Sequence, residues 1–366
     1  MRDLTHGPSG GPAPAPLREV AIVAFGQSDH VRDSAETSEV EMLMPVLHDV
    51  LAQTGLKTSD IDFTCSGSSD YLAGRAFSFT MALDGVGAWP PISESHVEMD
   101  GAWALYEAWV KILTGEADTA LVYAYGKSSP GDVREVLTRQ LDPYYVAPLW
   151  PDSVALAALQ AQALIDAGHT DEAALARIAA RSRADARTNP HAPLRGTAPA
   201  DGTVVAPLRT GDCPPVSDGA AAVILAAGDT ARRLTDRPAW IRGLDHRIEA
   251  HSLGVRDLTA SPSTRLAAER AGLFDAPVDT AELHAPFTSQ EVVLRRALDL
   301  GSGDSAVRIN PSGGALAANP VMATGLIRLG EAAARIQRGE SDRALAHATS
   351  GPCLQQNLVA VLEGES

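Results

Sequence analysis

Two rounds of short apolar runs, each alternating with amphipathic segments, constrain this chain more than any other feature of its sequence. The run 18–26 ends at a glycine and is typical of a buried strand. Apolar residues at 3–4 spacing over 38–54 predict an amphipathic helix. The first round comprises strands predicted at 18–26, 60–65, 119–125 and 220–227 and helices predicted at 38–54 and 101–114. This order favours a layered α/β fold around a largely buried sheet.

After Pro238 the same rhythm starts again. Strands are predicted at 240–244, 279–283, 306–309 and 357–362, and helices at 262–272, 289–299 and 321–337. From about 126 to 210, helical stretches at 154–167 and 171–184 alternate with Pro- and Asp-rich loops, which indicates an insertion over the sheet. We therefore predict two similar halves, 18–238 with the inserted loop domain and 239–366. A Gly/Pro/Ala-rich disordered leader is predicted at 1–17.

Charge and cysteine content exclude several functional classes. Forty-six acidic against 30 basic residues give a net charge of −16, which disfavours nucleic acid or an anionic membrane as the main partner, because both need a basic surface. Three cysteines without a CxxC pair predict neither a disulfide scaffold nor a thiolate metal site. No apolar run is long enough to span a membrane, and no signal-peptide core is visible. We expect a soluble, cytoplasmic protein without a metal site.

Three short motifs carry a resemblance to a known family. They are Ser217-Asp218-Gly219-Ala220-Ala221-Ala222, Glu282-Leu283-His284-Ala285-Pro286-Phe287 and Asn310-Pro311-Ser312-Gly313-Gly314. In order and separation they resemble segments of the thiolase superfamily, the second motif in its sterol-carrier-protein type. The resemblance covers about residues 18–363 and implies a five-layered αβαβα thiolase fold that pairs with itself or a homologue. It also implies an acyl-coenzyme A substrate, with coenzyme A as part of the thioester rather than a tightly bound cofactor. Ser312, Gly313 and Gly314 are expected to contact it.

The departures from the family pattern concern the catalytic positions. The position of the family's nucleophilic cysteine falls on Gly101, or on Asp100 if the register slips by one. The family's GHP histidine maps onto Asn319, and its second cysteine maps onto Gly351, two places from Cys353. Thiolase chemistry requires a thiolate nucleophile. Classical Claisen chemistry is therefore not expected of this chain.

The segments 65–74 and 310–320 most resemble the thiolase-like lipid-transfer proteins of actinobacterial sterol side-chain degradation. Some members of that group are retro-aldolases, which cleave a β-hydroxyacyl-CoA into a carbonyl product and a shorter acyl-CoA. They work with an OB-fold/zinc-ribbon partner subunit. The resemblance therefore implies a carbon–carbon lyase subunit for a β-hydroxyacyl-CoA with a steroid-derived acyl chain. That reaction needs a base and an oxyanion site but no nucleophile.

Five residues are candidates for this chemistry, and each has a structural alternative. His284 is an oxyanion donor or acid/base, or else a structural histidine; Asn319 is an oxyanion donor or else a loop-stabilising amide. Asp100 is a general base or else a helix N-cap. Tyr71, on a Ser/Gly turn at a strand end, is the best tyrosine candidate for a base. The C-terminal-half tyrosine of the family's aldolases cannot be carried over, because all six tyrosines lie at or before position 145. Cys353 contacts substrate or simply packs in its loop.

Two other functions compete with the lyase. The loss of cysteine, GHP histidine and C-terminal tyrosines also fits a non-catalytic subunit that completes a heteromeric aldolase or thiolase complex. A residual thiolase that uses Cys353 would be abolished by thiol alkylation.

Overall fold

The computed structural model describes residues 17–88, 91–301 and 307–365. Its strands are β1 (Val20–Gln27), β2 (Phe63–Gly67), β3 (Glu94–Val97), β4 (Thr119–Gly126), β5 (Thr203–Val205), β6 (Leu208–Arg209), β7 (Gly219–Ala227), β8 (Ala239–Ile248), β9 (Thr280–Leu283), β10 (Arg308–Ile309), β11 (Arg343–Ser350) and β12 (Gln356–Glu363). Its helices are α1 (Glu39–Thr54), α2 (Asp70–Ala73), α3 (Thr80–Val86), α4 (Gly101–Leu113), α5 (Val133–Arg139), α6 (Ser153–Asp166), α7 (Glu172–Asp185), α8 (Gly228–Leu234), α9 (Pro262–Arg270), α10 (Thr288–Ala297) and α11 (Thr324–Gln337). The predicted leader, apart from Leu17, lies outside the described residues.

Local sequence signals explain where the main elements begin and end. Helix α1 begins after Ser38, whose side chain forms a capping box with Glu41, and it ends at Gly55, whose φ is 71°. Strand β11 was not predicted from the sequence. Its sequence is rich in alanine and contains a single β-branched residue, Thr349, of the kind that marks a strand. Pairing with β9 and β12 overrides that weak local preference.

The sheet repeats one strand order in two halves. The order is β10-β9-β11-β12-β8-β1-β7-β4-β2-β3, so five strands from each half meet at β1 and β8. Only two residue pairs join these strands, Ala21–Trp240 and Ile22–Ala239. Read outward from this seam, the strand orders 1-7-4-2-3 and 8-12-11-9-10 correspond, as expected from two similar α/β halves.

Two helices form a central layer between the halves of the sheet. Leu105 and Ile112 of α4 and Leu326 and Leu329 of α11 are buried in one core with the inner faces of the strands. Helix α1 covers the outer face of the first half, and α9 and α10 cover that of the second. These layers make the predicted αβαβα arrangement. No helix in the described ranges is long and apolar enough to cross a membrane.

The inserted region between β4 and β7 contains α5, α6, α7 and the β5–β6 hairpin. It leans on the second half: α6 and α7 contact α10, and the Gln160 side chain donates to the carbonyl of Leu258 at 3.0 Å. The insertion therefore covers the region where the two halves meet.

Candidate active site

A cavity of about 1030 Å³ lies where both halves and the inserted region meet. Residues from β-strand ends, from the starts of the two central helices and from the insertion line it. All five candidate catalytic residues contribute to its wall: Tyr71, Asp100, His284, Asn319 and Cys353. The fold therefore brings together residues that lie up to 282 positions apart in the chain.

Asp100 lies where the N-termini of the two central helices converge. Its Oδ1 accepts hydrogen bonds from the backbone N–H groups of Ala102 and Leu326 at 2.9 and 3.0 Å, and its Oδ2 accepts from Gly325 at 2.8 Å. The side chain is 2% exposed, and this burial raises the pKa of Asp100 to about 6, although the three hydrogen bonds act in the opposite direction. Both helix dipoles favour its ionised form. The N-cap role is therefore present, together with a pKa suited to a base.

Gly101 has no room for any side chain. A Cβ on this residue would lie 2.6 Å from the Cβ of Ala124 and 3.0 Å from a methyl group of Leu326. Of the two neighbours Asp100 and Gly101, Asp100 is the one that lines the cavity.

His284 follows β9 and is almost fully buried. Its Nδ1 accepts a hydrogen bond from the backbone N–H of Thr349 at 3.3 Å, so the neutral ring carries its proton on Nε2. Burial lowers the pKa of His284 to about 3, with His347 and Arg328 adding to the effect and the Asn319 side chain opposing it. At neutral pH the ring is therefore a neutral donor, which favours the oxyanion role over acid/base exchange.

Asn319 is held from two sides beside His284. Its backbone N–H donates to Ser217 Oγ at 3.2 Å, and its side-chain Oδ1 accepts from Thr324 Oγ1 at 3.0 Å. With Oδ1 engaged in this way, the amide Nδ2 is the group left to donate. His284 and Asn319 thus line the same cavity as two uncharged groups, and a hydrogen bond between their side chains is what opposes the fall in the pKa of His284.

The motif Ser217-Asp218-Gly219 has a structural role at the cavity rather than a chemical one. Ser217 supports Asn319, whereas the carboxylate of Asp218 accepts from the N–H and hydroxyl groups of Ser34 and Ser129 and so ties two loops together. Gly219 leaves space for the ring of His30, whose Nδ1 would lie 2.1 Å from a Cβ there. The motif is therefore a scaffold for the cavity.

Cys353 and Tyr71 occupy different depths of the cavity. Cys353 is buried, packs with Val146 and Leu156, and its Sγ donates to the carbonyl of Leu156 at 3.3 Å. Burial raises the pKa of the Cys353 thiol to about 11, so it is protonated at neutral pH. Tyr71 lies on the short helix α2 and is 56% exposed. It contributes to the cavity wall from this exposed position.

Ser312, Gly313 and Gly314 lie away from the cavity. Ser312 Oγ donates to the buried Glu282 carboxylate at 2.7 Å. Gly313 has a φ of +94°, and a Cβ there would lie 2.5 Å from that of Ala186 on the inserted region. The glycine-rich loop thus packs tightly against the insertion and carries Asn319 into place. The expected contact of these three residues with coenzyme A has no support in this placement.

Several cavity residues were not found from the sequence. His251 contacts Gln355 through its Nδ1 at 2.8 Å, and the side chains of Gln140 and Gln290 add further amides to the wall. None of them stands in a recognisable motif. Four large apolar side chains nearby are also strongly exposed: Tyr144, Tyr145, Leu149 and Trp150. The stretch 142–151, rich in Pro and aromatic residues, was their only sequence signal.

Comparisons with known proteins agree with this architecture, although no protein-family model matches the chain. It is 27% identical over 360 residues to acetyl-CoA acetyltransferase of Methanothermobacter thermautotrophicus, covering 89% of this chain and 93% of that protein. It is 25% identical over 389 residues to sterol carrier protein 2 of Gallus gallus, covering 92% and 71%.

Solved structures show the fold. An Ltp2-ChsH2(DUF35) aldolase superposes with a TM-score of 0.78 at 20% identity, covering 94% of this chain and 97% of that one. Human mitochondrial 3-ketoacyl-CoA thiolase superposes with a TM-score of 0.74 at 17% identity, covering 96% and 100%. The chain has the thiolase fold.

Proposed function

We propose that this chain is the thiolase-fold subunit of an acyl-CoA aldol-lyase, which cleaves a β-hydroxyacyl-CoA into a carbonyl product and a shorter acyl-CoA. One observation carries the proposal. His284 and Asn319 are two uncharged groups with hydrogen-bond donors that line a large cavity, and burial keeps both thiols that line it within the described residues, Cys213 and Cys353, protonated. An oxyanion site without a nucleophile fits aldol cleavage better than thiolysis.

The proposed reaction conserves every proton and electron pair. The Asp100 carboxylate takes the proton of the β-hydroxyl group, and the Cα–Cβ bond breaks as the β-carbon becomes a carbonyl. The electron pair of that bond forms a thioester enolate, whose oxygen accepts hydrogen bonds from His284 Nε2 and Asn319 Nδ2. The protonated Asp100 then returns its proton to Cα. With a pKa of about 6, Asp100 is ionised at neutral pH when the reaction begins.

Tyr71 is the remaining candidate base. More than half of its surface is exposed, so its ring favours contact with the acyl-CoA over proton transfer. Asp100 is preferred because it is buried and immobilised by three backbone donors. Two of these donors belong to the first turn of α11, where Thr324 also holds Asn319.

The proposed substrate is a steroid side-chain thioester. The size of the cavity and the similarity to sterol carrier protein 2 and to the Ltp2-ChsH2(DUF35) aldolase support this choice. We further propose a cytoplasmic complex with a thiolase-fold dimer partner and an OB-fold/zinc-ribbon subunit. The exposed turn 144–150, which continues from cavity residues Leu141 and Pro143, is a suitable docking point for that subunit, since exposed aromatic side chains are typical of protein interfaces.

A non-catalytic subunit is the second candidate function. The observation in its favour is that both oxygens of the Asp100 carboxylate already accept backbone hydrogen bonds, as a purely structural cap would. In that case the chemistry would belong to the partner.

The test is cleavage of a β-hydroxyacyl-CoA panel by the co-expressed complex, with His284→Ala and Asn319→Ala introduced into this chain alone. Each should slow cleavage by about 10²–10³-fold, as the loss of an oxyanion donor does elsewhere. Leu266→Ser, on the outer helix α9, is the control. Near-native rates for both variants in a folded complex would assign the chemistry to the partner.

A further inference from the structure

The loop after β11 forms one wall of the cavity in an uncommon backbone conformation. Cys353 and Leu354 are consecutive non-glycine residues with φ values of +53° and +58°, and Gly351 has a φ of +73°. Side chains make this left-handed region unfavourable, and it persists only where surrounding contacts hold it. The loop 351–355 therefore needs contacts from outside the loop to hold it in place.

These contacts, here called the clamp, come from the segment after β8. The guanidinium group of Arg256 donates from Nη1 to the carbonyl of Pro352 at 3.2 Å and from Nη2 to the carbonyl of Cys353. The backbone N–H of Glu249 donates to the carbonyl of Gln355 at 2.6 Å. Arg256 is thus the side chain that hydrogen-bonds the carbonyls of Pro352 and Cys353, near the start of the left-handed stretch.

Arginine suits this task for a geometric reason. Its planar guanidinium presents donors in a fixed fork, which can bond two neighbouring acceptors at once. A lysine would keep the charge but lose the fork. Arg256 is not among the residues that line the cavity, so it acts on the cavity only through the loop that it holds.

The end of β11 that leads into this loop reaches His284. Thr349, the second-last residue of β11, provides the backbone N–H that bonds His284 Nδ1 and keeps the ring proton on Nε2. Thr349 lies three residues before Pro352, whose carbonyl Arg256 holds. A displacement of the loop that extends to this end of β11 therefore changes the partner of His284 Nδ1 as well as the cavity wall.

We propose that Arg256 is a positioning residue for the cleavage reaction: it holds loop 351–355 and, through the adjoining end of β11 at Thr349, keeps His284 as an Nε2–H donor. The catalytic part of this proposal rests on the proposed function. The clamp itself does not.

The rate at which Cys353 is alkylated reports on the contact between Arg256 and the loop, and measuring it does not require an active enzyme. In the native chain its thiol is 3% exposed and bonded to Leu156, so alkylation by iodoacetamide should be slow. Arg256→Met should accelerate Cys353 alkylation at least about tenfold, measured at the cysteine itself by peptide mass spectrometry. Arg256→Lys, the milder change, should lie between the two. Arg265→Met, which removes a surface arginine paired with Glu269 and Asp299, should match the native chain.

Kinetics of the co-expressed complex test the link to catalysis. Arg256→Met should lower kcat for cleavage at least about tenfold with KM changed less than about threefold, and Arg256→Lys should recover part of the loss. Alkylation within twofold of native in both Arg256 variants would overturn the clamp. Faster alkylation with unchanged kcat would overturn the positioning role. No cleavage by the native complex would instead refute the proposed function, and the alkylation rates would still decide the clamp.

Discussion

Replacing Asp100 by Asn separates its two roles, because the amide keeps the shape of the side chain and removes its charge. One oxygen remains to accept from Ala102 and Leu326, but the amide nitrogen then faces the N–H of Gly325, now 2.8 Å from Oδ2. Because both groups are donors, the hydrogen bond from Gly325 is lost and its buried N–H is left unsatisfied. This lowers the free energy of unfolding by about 1–3 kcal/mol.

A second contribution opposes this loss. The rise of the Asp100 pKa from an ordinary 3.8 to about 6 means that the folded protein disfavours the buried charge by about 3 kcal/mol relative to the neutral acid. The neutral amide avoids that cost. The two contributions are similar in size, so Asp100→Asn should change the free energy of unfolding by less than about 2 kcal/mol above pH 6.

Activity should respond much more strongly than stability. An amide cannot accept the β-hydroxyl proton, and loss of a general base slows a reaction by about 10²–10⁴-fold. The assay pairs urea unfolding with cleavage rates of the complex, and Asp171→Asn, which alters the cap of α7 far from the cavity, is the matched control. A folded Asp100→Asn complex that cleaves at the native rate would refute the base assignment and leave Asp100 as a cap.

Three further predictions follow from the same contacts. Gly101→Ala should destabilise the chain by about 1–3 kcal/mol in urea unfolding, because its Cβ would overlap Ala124. Gly131→Ala, with open space around it, is the control, and equal midpoints would contradict the packing argument. Burial lowers the pKa values of His30, His284 and His347 to about 3, 3 and 4. The unfolded state therefore binds more protons, and each histidine removes about 1.4 kcal/mol of stability per pH unit as the pH falls from 6.5 towards those values. His347→Gln should reduce that slope by one proton in urea titrations at pH 4.5–6, and an unchanged slope would contradict it. Finally, Tyr144→Ser with Trp150→Ser should reduce co-purification of the OB-fold subunit at least about tenfold, whereas Leu266→Ser should not; full recovery of the subunit would move the docking point elsewhere.

Protonation of Asp100 should affect cleavage and stability in opposite directions. Asp100 acts as a base only when ionised, so cleavage should fall about tenfold per pH unit below about 6. For stability, its raised pKa means that the folded state binds the extra proton, so this residue stabilises the chain as the pH falls from 6 to 3.8. Its contribution therefore partly offsets that of the buried histidines.

Local patterns predicted most of the architecture. Apolar runs and helical spacing were sufficient for α1, α4 and β7, whose boundaries agree with the prediction within about three residues. Asp100 was recognisable as an N-cap because it directly precedes a helical pattern. By contrast, β11 depends on pairing with β9, more than 60 residues earlier in the chain, and with the adjacent β12, which its Ala-rich sequence does not reveal.

The site was predictable only where a motif marked it. His284 and Asn319 were recognisable from family motifs, but the donors that orient them, Thr349 and Thr324, are ordinary loop and helix residues. Arg256 lies 97 residues from Cys353 in the chain, and no local pattern announces that contact. Ser312, Gly313 and Gly314 carry a motif yet are not among the residues that line the cavity, and the positive φ values and close contacts of the two glycines explain why glycine stands at these positions.

The central claim is that this protein breaks a carbon–carbon bond without the thiol of a second, free coenzyme A molecule. One incubation tests it directly. The complex is mixed with β-hydroxyacyl-CoA in D₂O with no free coenzyme A, and products are identified by mass spectrometry. The account predicts a carbonyl product and a shorter acyl-CoA with one deuterium at Cα, and loss of both with Asp100→Asn in this chain. Cleavage that appears only after free coenzyme A is added, or that persists undiminished in the variant, would contradict it.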